Sequence, residues 1–277
     1  MVWTERQQAL LRAMGHRVWA PPAPGPVATA APTAAPTAAP SLAPSAAPVA
    51  ALAPTPALPG SVIEPATAAG SSPLAALDWT ALREAVAACR ACGLCQGRTQ
   101  TVFGVGHLQA QWMVVGEAPG EQEDREGEPF VGPAGQLLDR MLAALQLTRA
   151  AGGPQPPAQR VYIANTLKCR PPRNRNPAAD ELARCEPFLV RQIELLRPRI
   201  ILAMGRFAVQ ALLRSDEPIG RLRGRVHRYQ GVPLVVTYHP AYLLRNLPEK
   251  AKAWEDLCLA ARVFEQATLQ SAQSASP

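Results

Sequence analysis

Apolar and polar positions along this 277-residue chain fall into three regimes. In residues 1–20, Trp3, Leu10, Leu11, Met14, Val18 and Trp19 recur at helical spacing, which predicts a short amphipathic helix. Residues 21–75 carry no apolar period. From residue 76 onward short apolar runs alternate with helical patterns. Trp112 to Val115 reads as a strand ending at Gly116, and Gly135 to Leu147 as a helix. Val161 to Ala164 is a second strand, followed by a long helix from Pro177, a residue suited to a first helical position with Asn176 as its cap. Ile200 to Ala203 is a third strand, Phe207 to Leu213 a helix, Leu234 to Thr237 a fourth strand, and Glu249 to Gln266 a closing helix. Short strands separated by helices predict an α/β fold, a three-layer sandwich whose central, mainly parallel four-stranded sheet is flanked by helices. Such sheets bind ligands at the carboxyl ends of their strands. Here those ends are Gly116-Glu117-Ala118-Pro119-Gly120, Asn165, Gly205 and His239-Pro240.

Composition sharpens this division. Residues 21–75 hold 14 of the 30 prolines and a single charge, Glu64, so they bury too little surface to fold. They read as a disordered Ala/Pro-rich linker, stiffened toward polyproline II, with an upper reach on the order of 170 Å. Residues 76–277 form one domain of ordinary size. Residues 1–20 then either dock back on that domain or anchor a partner protein through the tether. A membrane span is excluded, since no run of about 18 apolar residues free of charge occurs. Six cysteines are too few for a secreted disulfide scaffold of this length. Glu5 and Arg6 stand where a signal peptide needs its apolar run, which leaves a cytoplasmic protein as the expectation.

The net charge of +7 matters through its placement. Arg160, Lys168, Arg170, Arg173 and Arg175 form one stretch without an acid, and Arg221, Arg223, Arg225, Arg228 and Arg245 a second. Both lie at, or lead to, the strand ends named above. Phosphate backbone is the natural counterpart of such a rim.

Cysteines supply the next chemistry. Cys89 and Cys92 make a Cys-x-x-Cys pair, with Cys169 and Cys185 following. With fifteen residues between the second two, the four cysteines together make a candidate four-thiolate site for zinc or an iron–sulfur cluster. Cys95 forms a second Cys-x-x-Cys with Cys92, so spacing leaves open which two of the three N-terminal cysteines bind; Cys258 reads as an inert core thiol.

Three longer motifs carry a family likeness. Gly116-Glu-Ala-Pro-Gly-Glu-Gln-Glu-Asp124 with Gly127-Glu-Pro-Phe-Val-Gly-Pro-Ala-Gly-Gln-Leu-Leu-Asp139 resembles the first signature of family 4 uracil-DNA glycosylases. Asn165-Thr-Leu-Lys-Cys-Arg-Pro-Pro-Arg-Asn-Arg-Asn-Pro177 resembles their second, and His239-Pro-Ala-Tyr-Leu-Leu-Arg245 their third. The resemblance implies a monomeric bacterial DNA-repair enzyme that flips uracil out of DNA and hydrolyses its N-glycosidic bond. It implies a 4Fe–4S cluster at one side of the fold, held by Cys89, Cys92, Cys169 and Cys185. It implies a uracil pocket of Gly116, Glu117, Ala118, Phe130, Asn165 and His239, with Phe130 stacking on the base and the Asn165 amide reading its edge. His239 would stabilise the departing uracil at O2. The catalytic Asp of the best-known uracil glycosylases falls on Ala118, which cannot act as a base. That leaves Glu123 to orient the attacking water, with Glu117 as the second candidate or as the group that crowds the base at C5. Arg170, Arg173, Arg175 and Arg245 would touch DNA, and Leu243 and Leu244 would wedge into the base stack. The alternative reading is a non-catalytic or uracil-trapping accessory of a polymerase or repair complex. Trapping would call for a histidine in the loop 168–176, which has none.

Overall fold

The computed structural model describes residues 73–274. The predicted helix 1–20 and almost all of the linker 21–75 therefore lie outside the described residues. The linker's last residues do not belong to it: Pro73–Ala76 is a 3-10 turn whose Leu74 packs on the core.

In chain order the elements are α1 (Trp79–Ala88), β1 (Val105–Gly106), β2 (Trp112–Gly116), α2 (Glu121–Glu126), α3 (Pro133–Ala144), β3 (Val161–Asn165) and α4 (Ala179–Leu196). They continue with β4 (Ile200–Met204), α5 (Arg206–Leu213), α6 (Ile219–Leu222), β5 (Val226–Tyr229), β6 (Val232–Thr237), α7 (Pro240–Arg245) and α8 (Glu249–Ser274). One mixed six-stranded sheet runs in the order β1-β3-β2-β4-β6-β5. Its four inner strands are parallel and are the four expected from sequence; β1 and β5 add antiparallel edges. The sheet thus has six strands rather than four. Two residues of β1 are too few to give a period, and β5 alternates only between exposed and half-buried positions, as an edge does.

Because strand residues alternate faces, β2, β3, β4 and β6 feed two cores. Met113, Val115, Tyr162, Ala164, Ile201 and Val236 pack toward α4 and α5. Trp112, Val114, Ile163, Leu202 and Val235 pack toward α3 and α8. A third cluster joins α1 to α4 through Leu82, Val86, Leu94, Leu167 and Phe188, and includes Cys169 and Cys185.

The long helix starts two residues later than Pro177. Glu181 reaches back to accept the Ala178 N–H at 2.8 Å, satisfying a free donor of the first turn. Asn176 does not cap it and lines a pocket instead.

Candidate active site

The carboxyl ends of β2, β3, β4 and β6 open into one pocket of about 620 Å³. Glu117, Ala118, Phe130, Asn165 and His239 line it, with Glu123, Arg175 and Arg245 at its walls. Gly116 is not part of the lining but lies directly behind it: a Cβ there would fall 2.5 Å from Asn165 Oδ1 and 2.6 Å from the Phe130 ring. Asn165 is 2 % exposed, and its Oδ1 is buried with no hydrogen-bond partner. An acceptor left in that state costs about 1–3 kcal/mol unless a ligand supplies the donor.

Phe130 and His239 form the facing wall, their rings stacked with centroids 5.3 Å apart. The backbone of Phe130 is held at φ 56, a left-handed conformation that a bulky residue adopts only where its surroundings impose it. Three groups impose it. Glu123 Oε1 accepts the N–H of Val131 at 3.0 Å and of Gly132 at 3.3 Å, while Oε2 accepts that of Gly120 at 3.0 Å. Arg149 donates to the carbonyls of Pro129 and Phe130, both at 2.8 Å, and pairs with Asp139. Gly135 lets α3 press on the loop, since a Cβ there would stand 1.7 Å from the Phe130 oxygen.

Both oxygens of Glu123 are thus committed to backbone. Glu117 is the carboxylate whose acidity the pocket alters: burial raises it to about 6, against the lowering pull of Arg206. Burial first, and then Arg245, pushes His239 down to about 4, so the imidazole is neutral at pH 7. Its Nδ1 accepts the Ala241 N–H at 3.2 Å, which assigns the proton to Nε2.

The basic stretches divide. Arg160 is 6 % exposed and donates to the carbonyls of Gln155, Ala151 and Gly153. Arg223 pairs with Asp256 at 3.0 Å and with Glu255 at 3.1 Å, and Lys168 is buried. Those three serve the fold, not a rim. Arg170 meets Glu121 and Asn174, and Arg175 meets Glu181. Arg173 and Arg245 are exposed, as is Arg206 at the start of α5. One expectation is corrected: Leu243 is 1 % exposed and belongs to the core, because that side of α7 packs on α3, whereas Leu244 is 41 % exposed. Sequence reasoning missed Arg149, Gly135 and Arg206. The first two hold a loop rather than touch a ligand; Gly135 stands within the first signature, which gave it no role, and Arg149 lies outside all three. Arg206, directly after the named strand end Gly205, was open to the same argument as its neighbours.

A second cavity is lined by Cys89, Cys92, Cys95, Cys169 and Cys185, all free thiols, with Arg98, Leu94 and Phe188. Arg98 Nη1 donates to Cys169 Sγ at 3.0 Å and the Lys168 N–H to Cys185 Sγ at 3.2 Å. Burial pushes the Cys185 thiol up to about 12, with Cys169 and Cys89 adding to the rise. Cys169 is raised likewise, mainly by burial, with Cys92 and Cys89 contributing. Among the described residues no three His, Cys, Asp or Glu side chains converge on a single ion position.

Residues 103–258 match the family profile described as the Uracil DNA glycosylase superfamily. A type-4 uracil-DNA glycosylase of Archaeoglobus fulgidus is 42 % identical over 167 residues, covering 57 % of this chain and 79 % of that protein. A type-4 uracil-DNA glycosylase of Thermotoga maritima is 41 % identical over 165 residues, 59 % of this chain and 81 % of the relative. A type-5 uracil-DNA glycosylase of Pyrobaculum aerophilum is 33 % identical over 151 residues, covering 51 % of this chain and 66 % of that relative. With the profile spanning more than half of its residues and the type-4 proteins matching over most of their own length, this chain belongs to the uracil-DNA glycosylase superfamily and, within it, to the type-4 family.

Proposed function

We propose that this protein is a monofunctional uracil-DNA glycosylase that removes uracil from DNA in repair and leaves an abasic site. The observation that carries the reading is the partnerless Asn165 Oδ1, buried at the floor of the pocket beside the Phe130 ring. A base inside a duplex cannot reach it, so the nucleotide is extruded. Uracil N3–H donates to Oδ1 while the amide N–H₂ donates to uracil O4. Cytosine presents the reverse pattern at both positions and leaves two buried groups unpaired. Phe130 gives the base its stacking surface.

Cleavage places negative charge on the uracil ring, largely at O2. His239 meets it as a neutral donor through Nε2–H, with backbone N–H groups of the Glu117–Ala118 turn assisting. Glu123 holds the Phe130 loop, so the role of orienting water toward the sugar C1′ passes to Glu117, whose pKa of about 6 leaves it ionised at neutral pH. Arg170, Arg173, Arg175, Arg206 and Arg245 meet phosphates, and Leu244 fills the space that the base vacates. A pocket equipped for one base edge has no use in a purely DNA-binding accessory. On this reading the chain would act on DNA as a monomer in the cytoplasm, with residues 1–20 either docking back on the domain or anchoring a partner protein.

Cys89, Cys92, Cys169 and Cys185 would hold the 4Fe–4S cluster. Their thiols line one cavity, and the choice of an iron–sulfur cluster over zinc rests on membership of the type-4 family. Two N–H groups already aim at sulfur, as the outer shell of such a cluster does. When bound, the group supplies a covalent tie between the segment after α1, the loop at Cys169 and the first half of α4 at Cys185. Cys95 stands by the same cavity and is left out of the set.

The test is free-base release from oligonucleotides that differ only in carrying uracil, thymine or cytosine at one position. Release of uracil alone is expected from the iron-loaded protein. No release, with or without a denaturant-resistant protein–DNA adduct, would overturn the glycosylase reading.

A further inference from the structure

One buried residue links the uracil reader to α4 through its side chain and to the cysteine site through its main chain. Lys168 is 1 % exposed, and its Nζ donates to the Asn165 carbonyl oxygen and to Gln192 Oε1, both at 2.7 Å. Its own N–H donates to Cys185 Sγ. Gln192 is 0 % exposed and passes the chain onward, its Nε2 donating to the Phe103 carbonyl at 2.9 Å and to the Tyr162 hydroxyl at 3.2 Å. The segment between Asn165 and Cys169 is pinned from the other side as well. Thr166 and Leu167 donate their N–H groups to the Gly116 and Glu117 carbonyls at 3.0 and 3.1 Å.

Stability gives no reason for a lysine here. An apolar side chain of the same length would fill the space without the desolvation that an ammonium suffers. What lysine adds is direction, because two short hydrogen bonds fix the height at which β3 ends. We propose that Lys168 is a positioning residue for uracil recognition: its ammonium clamps the Asn165 main chain to Gln192 of α4, so that the Asn165 amide meets the base in one orientation. The assignment rests on the uracil-DNA glycosylase reading, and Lys168 touches neither substrate nor sugar.

The test compares the parent with Lys168→Met and Gln192→Met for iron content, visible absorption and binding to two oligonucleotides. One carries an uncleavable 2′-fluorinated deoxyuridine, the other an abasic analogue. Lys168→Met is expected to keep its iron and its affinity for the abasic strand, and to lose about ten- to a hundredfold of the preference for uracil. Gln192→Met leaves the ammonium one acceptor short and is expected to lose part of that preference. A Lys168→Met protein with iron and the parental preference would overturn the assignment. So would a loss of affinity that falls equally on both strands. Should Lys168→Met fail to fold or to hold iron, a Gln192→Met protein with unchanged preference overturns it alone. A parent without any preference for uracil would instead sink the underlying reading of the pocket.

Discussion

At the scale of single residues, two carboxylates six residues apart in the motif do different work because their surroundings differ. Glu123 spends its charge on three backbone N–H groups, while Glu117 keeps its carboxylate in the pocket with its pKa raised to about 6 by burial. If Glu117 acts ionised, single-turnover cleavage rises with pH through about 6 and levels off, and Glu117→Gln loses both the rate and that limb. His239 adds no limb in this range, since it stays neutral above about 4. The sign for stability is opposite. A raised carboxylate pKa means that the folded state binds the proton more tightly than the unfolded one, so folding loses stability as pH climbs from about 4.5 to about 6. Glu117→Gln is therefore expected to melt higher than the parent at pH 7, a gain in stability at the expense of rate. The adjacent leucines of α7 separate in the same way. Leu243→Ala empties a core position and should cost about 2–5 kcal/mol in a denaturant titration. Leu244→Ala should leave the melting point in place and lower cleavage of duplex more than of single-stranded DNA, where no stack needs filling.

At the scale of elements, the pocket depends on how one loop is strapped to one helix. The Phe130 loop runs between α2 and α3, and Gly135 of α3 lies where any side chain would collide with the Phe130 carbonyl. Arg149, beyond the end of α3, holds the same carbonyl from outside. Arg149→Ala is expected to fold and bind iron, with uracil release falling about tenfold or more as Phe130 leaves its left-handed backbone. Gly135→Ala should do worse, through clash rather than lost hydrogen bonds. Rates that match the parent in both variants would mean that the loop holds its shape unaided. The elements legible in the sequence were those with long apolar runs. All four inner strands could be read because burial on both faces makes them continuous. The edge strands lack that signal, and the start of α4 was misplaced because Glu181 outcompeted Asn176 for the first turn.

At the scale of the whole molecule, the gathering of motif residues and the placement of charge were legible to different depths. The motif residues Glu117, Phe130, Asn165 and His239, far apart in the chain, meet in one pocket, and so do the four cysteines in another. The basic stretches were less reliable, because counting arginines cannot distinguish an exposed guanidinium from Arg160 or Arg223, which tie carbonyls and buried acids together. Salt dependence should therefore follow only the exposed set. Arg245→Ala and Arg206→Ala are each expected to reduce the slope of log affinity against log salt by about 1, and an Arg160 substitution to change folding instead. Equal slopes for all three would deny that a discrete rim exists.

The central claim is that a buried amide oxygen without a partner marks the group that reads uracil, and single-turnover cleavage of a uracil-containing oligonucleotide by the parent and by Asn165→Ala tests it most directly. The account predicts free uracil and alkali-sensitive strand breaks from the parent, and a rate lower on the order of a thousandfold or more for an iron-loaded, folded Asn165→Ala. Comparable rates from the two proteins would contradict it.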